Sequence, residues 1–437
     1  MVDLFNIKDT LANKISYYHL MALLASLPFD LFYSHIILIS FIIHSLIHLK
    51  KDELKPVFNL KVLALTSVFL LTVWSTLYSS NKPEAFNEWG KQLTILIFPL
   101  VFCINPLNIS KYRLPLLLAF SFVCTATIIY LYADAFITIR HYHLPWSAIV
   151  SATFTNHNFS EPINMHATFF SMQIMVALAC MIFSIIKEKN KYGKVICAIC
   201  AVFLTAGIIQ LSSKSILIAF LILVNIGVPW LLMEGRTRLR FILASLSFSA
   251  LVVAGMLTSS AFKERFITEL KVDLTKPKPG ETYDGRLARW GVTIDLIKHK
   301  PLAGYGSGTE IGLLQDGFYQ KKLYDSYLNK LNTHSEYLSI TLKSGIIGLL
   351  IFVATLVWGF KTSIVRRDLL FFNFMVLIAL VSVSENLLDV DKGTFFYAFF
   401  FSFFMFSAQS EKRMLIPELN RSQKRVPAEE TLPVQII

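Results

Sequence analysis

Charge is scarce in this chain: Asp, Glu, Lys and Arg make up 16% of its 437 residues, against 54% hydrophobic residues. The one long polar stretch runs from Asp284 to Leu338, so a soluble globular domain is excluded for most of the sequence. Cysteine is equally sparse. Cys103, Cys124, Cys180, Cys197 and Cys200 all lie in apolar runs and imply no disulfide framework. Cys197-Ala198-Ile199-Cys200 has a redox or metal spacing, but without a second ligand pair on a lipid-embedded helix it reads as small apolar packing. There is no Walker A loop, no His-Glu-x-x-His and no Cys or His cluster with ligand spacing, which argues against ATP hydrolysis, zinc chemistry and any metal cofactor. No basic stripe interleaves with stacking aromatics on a soluble domain, so nucleic acid is not expected as a partner. The amino terminus has no basic region followed by an apolar run and a small-residue cleavage site, so no removable signal peptide is expected.

What remains is apolar runs of about 20 residues separated by charged gaps, the length that spans a bilayer. The fold class is an all-α polytopic membrane protein of twelve transmembrane helices, near 14–28, 31–49, 61–79, 90–105, 114–136, 163–186, 194–212, 215–233, 241–259, 335–360, 369–387 and 393–409. Alternate gaps are rich in Lys and Arg: Lys50, Lys51, Lys55 and Lys61; Lys111 and Arg113; Lys187 to Lys194; Arg236, Arg238 and Arg240; Lys361, Arg366 and Arg367. Short basic loops stay in the cytoplasm, so both termini are expected inside and the loop from Ser260 to His334 outside. The division is therefore nine spans in 1–259, a large external loop with amphipathic helices in 260–334, three spans in 335–409 and a cytoplasmic tail in 410–437. The net charge of +12 is in part this positive-inside bias.

The external loop carries the chemistry-bearing residues. Asp284 is placed to cap a helix on which Leu287, Trp290, Ile294 and Ile297 recur at helical spacing, with Arg286, Arg289 and Thr293 toward another face. Pro301 and Gly304 end it. Its apolar side is expected on the bundle or the lipid and its guanidinium groups on an anion, since paired arginines suit a phosphate or diphosphate. A solvated helix face or anchoring to anionic lipid explains the same spacing. A second amphipathic stretch, 318–331, is a candidate lid, and Gly304-Tyr305-Gly306-Ser307-Gly308 reads as a turn rather than a dinucleotide loop. His334 stands where the loop re-enters the membrane, where a neutral imidazole accepts a hydroxyl proton; a lone histidine is more often structural. Glu336 reads as its orienting partner or as a favourable charge in the first turn of the next helix.

Other polar residues gather at the same side. Lys214 stands at the junction of the seventh and eighth spans, a third cation for the site. Glu385 and Asn386 end the eleventh span. Asp389-Val390-Asp391 has the look of a metal motif but reads as a hydrated turn. Glu161, Asn164 and His166 enter the sixth span from outside, and His166 either lines the cavity or bonds a neighbouring helix.

With Gly285-Arg286 and Trp290, His299-Lys300-Pro301-Leu302-Ala303-Gly304-Tyr305-Gly306, and Thr333-His334-Ser335-Glu336-Tyr337-Leu338 before a Gly345-containing span, the chain resembles the O-antigen ligase and polymerase superfamily of bacterial envelope assembly. The resemblance covers about a quarter of the chain and implies a membrane-embedded, GT-C-like glycosyltransferase, inverting and metal-independent, in the bacterial inner membrane with its site facing the periplasm. It implies an undecaprenyl-diphosphate-linked glycan as donor, the lipid A core as acceptor, Arg286 on the donor diphosphate and His334 as the essential histidine. Two positions depart from the pattern. Lys214 stands where relatives commonly have an arginine, and Ser335 replaces the asparagine that usually follows the histidine. Within the superfamily an O-antigen polymerase, which would show two comparable basic loops, and a protein O-glycosyltransferase with more external sequence are the alternatives to a ligase. A secondary transporter would instead show related halves with interrupted helices at the midplane.

Overall fold

The computed structural model describes residues 4–49, 57, 59–273, 275 and 284–407. The basic positions Lys50, Lys51 and Lys55 and the tail 410–437 lie outside the described residues, as does part of the long loop. Helices α1 (Leu11–Ser26), α2 (Leu31–Ile47), α3 (Leu60–Thr76), α4 (Lys82–Ile104) and α5 (Ile109–His141) come first. The short α6 (His157–Ser160) precedes α7 (Ala167–Lys187), α8 (Lys191–Leu211) and α9 (Lys214–Ile222), which runs through a π turn, Leu223–Gly227, into α10 (Val228–Leu232). Then follow α11 (Gly235–Met256), the loop helices α12 (Ser260–Lys263) and α13 (Glu269–Asp273), α14 (Arg286–His299), α15 (Glu310–Gln320) and α16 (Tyr324–Leu328), and finally α17 (Glu336–Val365), α18 (Leu369–Ser384) and α19 (Asp391–Ser407).

With α9, the π turn and α10 counted as one rod, twelve long helices stand among the described residues where twelve spans are expected. Six are long and apolar enough to cross a membrane by length and composition alone, and three shorter ones are apolar. The chain is an all-α, multi-pass membrane protein. The helices begin where short polar side chains satisfy the first free backbone N–H groups: Thr10, Asp30, Asn59, Asn81, Asn108, Asn190 and Asp368 each accept one. The interior is built from phenylalanine. Phe98 meets Phe395 and Phe399 edge-on, and Phe374 packs among Phe396, Phe400, Phe401 and Phe404. Because lipid is as apolar as these rings, close packing rather than escape from water holds them together.

The bundle has two unlike ends. At one, Arg113 grips Asp368 through two bonds of 2.6 and 2.7 Å and Arg367 meets Glu234. At the other, the long loop folds over the helix termini. Its segment 299–308 inserts against a break in α17 at Gly345, where φ is +66°. The N–H groups of Tyr305 and Gly306 donate to the carbonyls of Leu342 and Lys343, and Ile346 N–H donates to Pro301. The inserted strand thus supplies the partners that the interrupted helix loses, as a buried backbone requires. Only glycine fits the break: a Cβ on Gly345 would lie 2.0 Å from the Leu302 carbonyl oxygen. The Gly304–Gly308 turn is therefore a docked latch, its Ser307 hydroxyl donating to Thr72 and its carbonyl accepting from Ser79.

Three local expectations are corrected. Asp284 does not cap α14, whose N-cap is Gly285 without a side-chain bond; its carboxylate accepts from Ser326 N–H at 2.8 Å and ties α14 to α16. The helix also faces the other way. Leu287 and Ile294 are exposed, while Arg289, Val292 and Thr293 are buried against α15 and α17, because the loop builds a small core of its own from Val292, Leu314, Phe318, Leu323 and Leu342. The stretch 318–331 belongs to that core, with Phe318 fully buried.

Candidate functional site

The loop end brings Lys214, Arg286, His334, Glu385 and His166 together. Lys214 opens α9 immediately after Ser212 turns the chain at φ +43°. Its Nζ lies 3.6 Å from Asp273 Oδ2 and 3.5 Å from Glu269 Oε2. Arg286, the first residue of α14, sets its Nε 3.8 Å from the same Asp273 oxygen. Arg265 joins them, donating from Nε to the Ser212 carbonyl at 2.8 Å and meeting Glu269 Oε2 at 3.2 Å. The expected pair of outward arginines is only half present: Arg289 is 3% exposed and faces the interior, away from Arg286.

His334 is held by its neighbours rather than by its own side chain. Trp290 Nε1 donates to the Thr333 carbonyl, Thr333 N–H donates to Glu310, and Thr333 Oγ1 and Ser335 N–H both donate to Asn386 Oδ1. That network fixes His334 at φ +46°, a left-handed conformation a histidine adopts only when its surroundings impose it. Its Nδ1 faces Glu385 Oε2 at 3.5 Å, an ion-pair approach longer than a hydrogen bond. Glu336 is not the partner: it is buried, and its carboxylate accepts from Leu388 N–H. Burial pushes the Glu385 carboxyl up, but His334, His166 and Arg286 together outweigh it and hold it below the usual carboxylate range.

His166 caps α7, and its ring lies 4.1 Å from that of His157. It keeps an open face, yet crowding by protein atoms first, and His157 second, push its pKa down to about 4, so the imidazole is neutral at physiological pH.

Behind this group lies a cluster that spacing did not reveal. Lys343, two turns into α17, reaches Asp389 at 2.6 Å, Glu88 at 3.5 Å and Glu310 at 3.8 Å; Lys343, Glu88 and Glu310 are buried and Asp389 is partly exposed. Asp389 also accepts from Asn386 and Ser339, so the turn that carries it is anchored at this residue; Lys343 outweighs burial and keeps its carboxyl low. Asp391 points elsewhere, 3.9 Å from His35. An ionisable residue inside an apolar run was the available signal for Lys343; Glu88, in the polar stretch before the fourth span, carried none. Arg265, Glu269 and Asp273 had none, being ordinary charges in a basic loop.

The arrangement places three cations, a carboxylate-facing imidazole and a neutral imidazole at one membrane-proximal surface, a set suited to binding a polyanion and moving one proton beside it. Residues 196–353 match the family model described as O-antigen ligase. The match starts in α8, ends within α17 and includes Lys214, Arg265, Arg286 and His334 but not His166 or Glu385. No curated protein matches the chain.

Proposed function

We propose that this chain, whose residues 196–353 match the family model described as O-antigen ligase, is a glycosyl-transferring enzyme of lipopolysaccharide assembly, the ligase that moves a glycan from undecaprenyl diphosphate to the lipid A core. The observation that carries this reading is the approach of Lys214 and Arg286 to one oxygen, Asp273 Oδ2, beside the His334–Glu385 pair. Cations set around a single anionic point match a diphosphate leaving group.

In the proposed reaction an acceptor hydroxyl of the core attacks the anomeric carbon from the face opposite the diphosphate. The new C–O bond forms as the anomeric C–O bond to the diphosphate breaks, inverting the configuration. The bonding pair leaves with the diphosphate, whose added charge Arg286 and Lys214 stabilise in place of a metal. The acceptor proton passes to His334, whose Nδ1 faces Glu385, leaving Nε2 as the accepting nitrogen. Arg289, buried as it is, supports α14 instead of binding substrate. His166 lines the acceptor side as a neutral group.

The reading puts the loop end at the periplasmic face of the inner membrane, with both termini cytoplasmic and membrane lipid around the bundle. The test is the lipopolysaccharide pattern of a strain lacking the protein. Free core with accumulated lipid-linked polymer, restored by wild type and not by Arg286→Ala, is the expected result. Core bearing a single repeat unit would make the chain a polymerase, and an unchanged ladder would remove it from the pathway.

A further inference from the structure

Five side chains form an alternating string at the loop end. Arg265 and Lys214 share Glu269 Oε2, at 3.2 and 3.5 Å, and Lys214 and Arg286 share Asp273 Oδ2, at 3.6 and 3.8 Å. Glu269 and Asp273 lie four residues apart, one turn of α13, so their carboxylates rise from one face. We propose that these two carboxylates occupy the seats of a diphosphate, that an incoming diphosphate displaces them, and that Arg265 is the third cation of that seat.

Each step rests on geometry. Two anionic groups one helical turn apart bridge three cations, as the two phosphates of a diphosphate would. Arg265 is anchored independently of Glu269 by its bond to the Ser212 carbonyl, so losing the carboxylate does not release it. Through that bond it is fixed to the turn that carries Lys214. It brings a planar fork to a junction whose other cation is a lysine, a point charge without paired donors. Arg265 also stands within electrostatic reach of Glu385 on one side and Arg286 on the other, bridging the cation string and the histidine side of the site. Displacement of Glu269 is feasible because it is nearly half exposed, where ion pairs are weak; Asp273, though buried, meets Lys214 and Arg286 at 3.6 and 3.8 Å, beyond hydrogen-bond distance. A diphosphate carries more charge than either carboxylate and presents several oxygens to each cation. When the seat is empty the two carboxylates reduce its three positive charges to a net of one, so the three cations are not left facing one another.

The inference rests on the diphosphate reading above but concerns how the seat is filled and emptied, so it is tested by binding alone. Purified full-length protein in detergent with EDTA is titrated with inorganic pyrophosphate. Arg265→Ala should weaken binding by at least about tenfold, the order expected for losing a charge-assisted hydrogen bond, with Arg265→Lys intermediate. Glu269→Gln and Asp273→Asn should each tighten binding, and the double variant should tighten it further. Glu269→Gln removes no cation and alters a half-exposed residue, so its result stands even if Arg265→Ala fails to fold. Unchanged or weaker binding in the two carboxylate variants would show them to be scaffold and overturn the proposal, as would full affinity in Arg265→Ala. If this rank order holds while no glycan reaches the lipid A core, the ligase reading falls and the seat remains. If transfer proceeds while the order fails, only the present inference falls.

Discussion

At the scale of single residues, the proposed reaction gives donor binding to the cations and proton transfer to the His334–Glu385 pair. The cations lie on α9, on α14 and in the turn between α12 and α13, whereas His334 is fixed by Thr333, Ser335 and Asn386. His334→Ala should therefore keep donor affinity while single-turnover transfer falls by about 10² to 10⁴, the usual loss on removing a general base; an equal loss of donor affinity would make His334 a donor contact instead. Glu385 adds a pH dependence. Its folded-state pKa is depressed, so its ionised form contributes stability that is complete above the ordinary carboxylate value and disappears as pH falls through the folded value. Thermal unfolding followed from about pH 7 to about pH 3 should show this acid limb in wild type and a shallower one in Glu385→Gln. Equal slopes would place the pair outside the stability of the site. Sequence spacing singled out Lys214 and Glu385 because each interrupts an apolar pattern near a helix end, and Arg286 and His334 because they stand near the two ends of the long polar stretch. It could not find Glu385 as the partner of His334, since Glu336 is nearer in sequence and the true pairing comes from α17 and α18 packing side by side.

At the scale of elements, the break in α17 joins loop to bundle. Gly345 has φ +66° and ψ −168°, a region open essentially to glycine, and its missing Cβ makes room for the Leu302 carbonyl. Gly345→Ala should cost about 1–3 kcal/mol from backbone strain alone, and more from the clash, and should lower transfer by detaching the latch 299–308 from Leu342 and Lys343. Gly90→Ala, where an added Cβ meets nothing within 4 Å, is the matched control. A melting temperature for Gly345→Ala equal to that of the control would remove the latch. Beside the break, Lys343 faces the buried carboxylates of Glu88 and Glu310 and the partly exposed one of Asp389, so Lys343→Ala should cost about 3–5 kcal/mol, the range for stranding a buried charge, with Lys343→Arg recovering part of it in the same melting assay. These features mark where the sequence ran out. Twelve apolar runs announced twelve helices, but Lys343 and Glu88 are 255 positions apart, and no local pattern joins them. The facing of α14 was misjudged for a related reason: its apolar stripe suggested a side to bury, while the core of α15 and the α17 break selected the opposite one.

At the scale of the whole molecule, polarity divides the bundle by chemistry as well as by shape. The loop end holds the anion seat, the histidines and the buried Lys343 cluster. The far end holds Arg113 with Asp368, Arg367 with Glu234, and the basic turns around Lys187–Lys194 and Arg236–Arg240. A transporter would set its polar groups near mid-bundle, at helix interruptions related by a repeat. Among the described residues the only glycine break in a long helix is filled by the protein's own loop, and the candidate site opens to one face. The distribution of Lys and Arg then predicts which face that is. Twelve helices return the chain to the side on which it began, and short turns dense in Lys and Arg are retained in the cytoplasm, so the far end should be cytoplasmic and the loop end periplasmic. The long loop is itself basic, but long loops cross largely regardless of charge, which leaves the short turns to decide. Reporter fusions truncated after Lys189, between α7 and α8, should be active only as a cytoplasmic reporter, and fusions within α15 only as a periplasmic one. Periplasmic activity after Lys189 would reverse the protein and put the cation seat in the cytoplasm, where it could not meet a donor presented on the outer side. Both fusions read by the same reporter would break the even count of spans, and with it the shared side of the two termini.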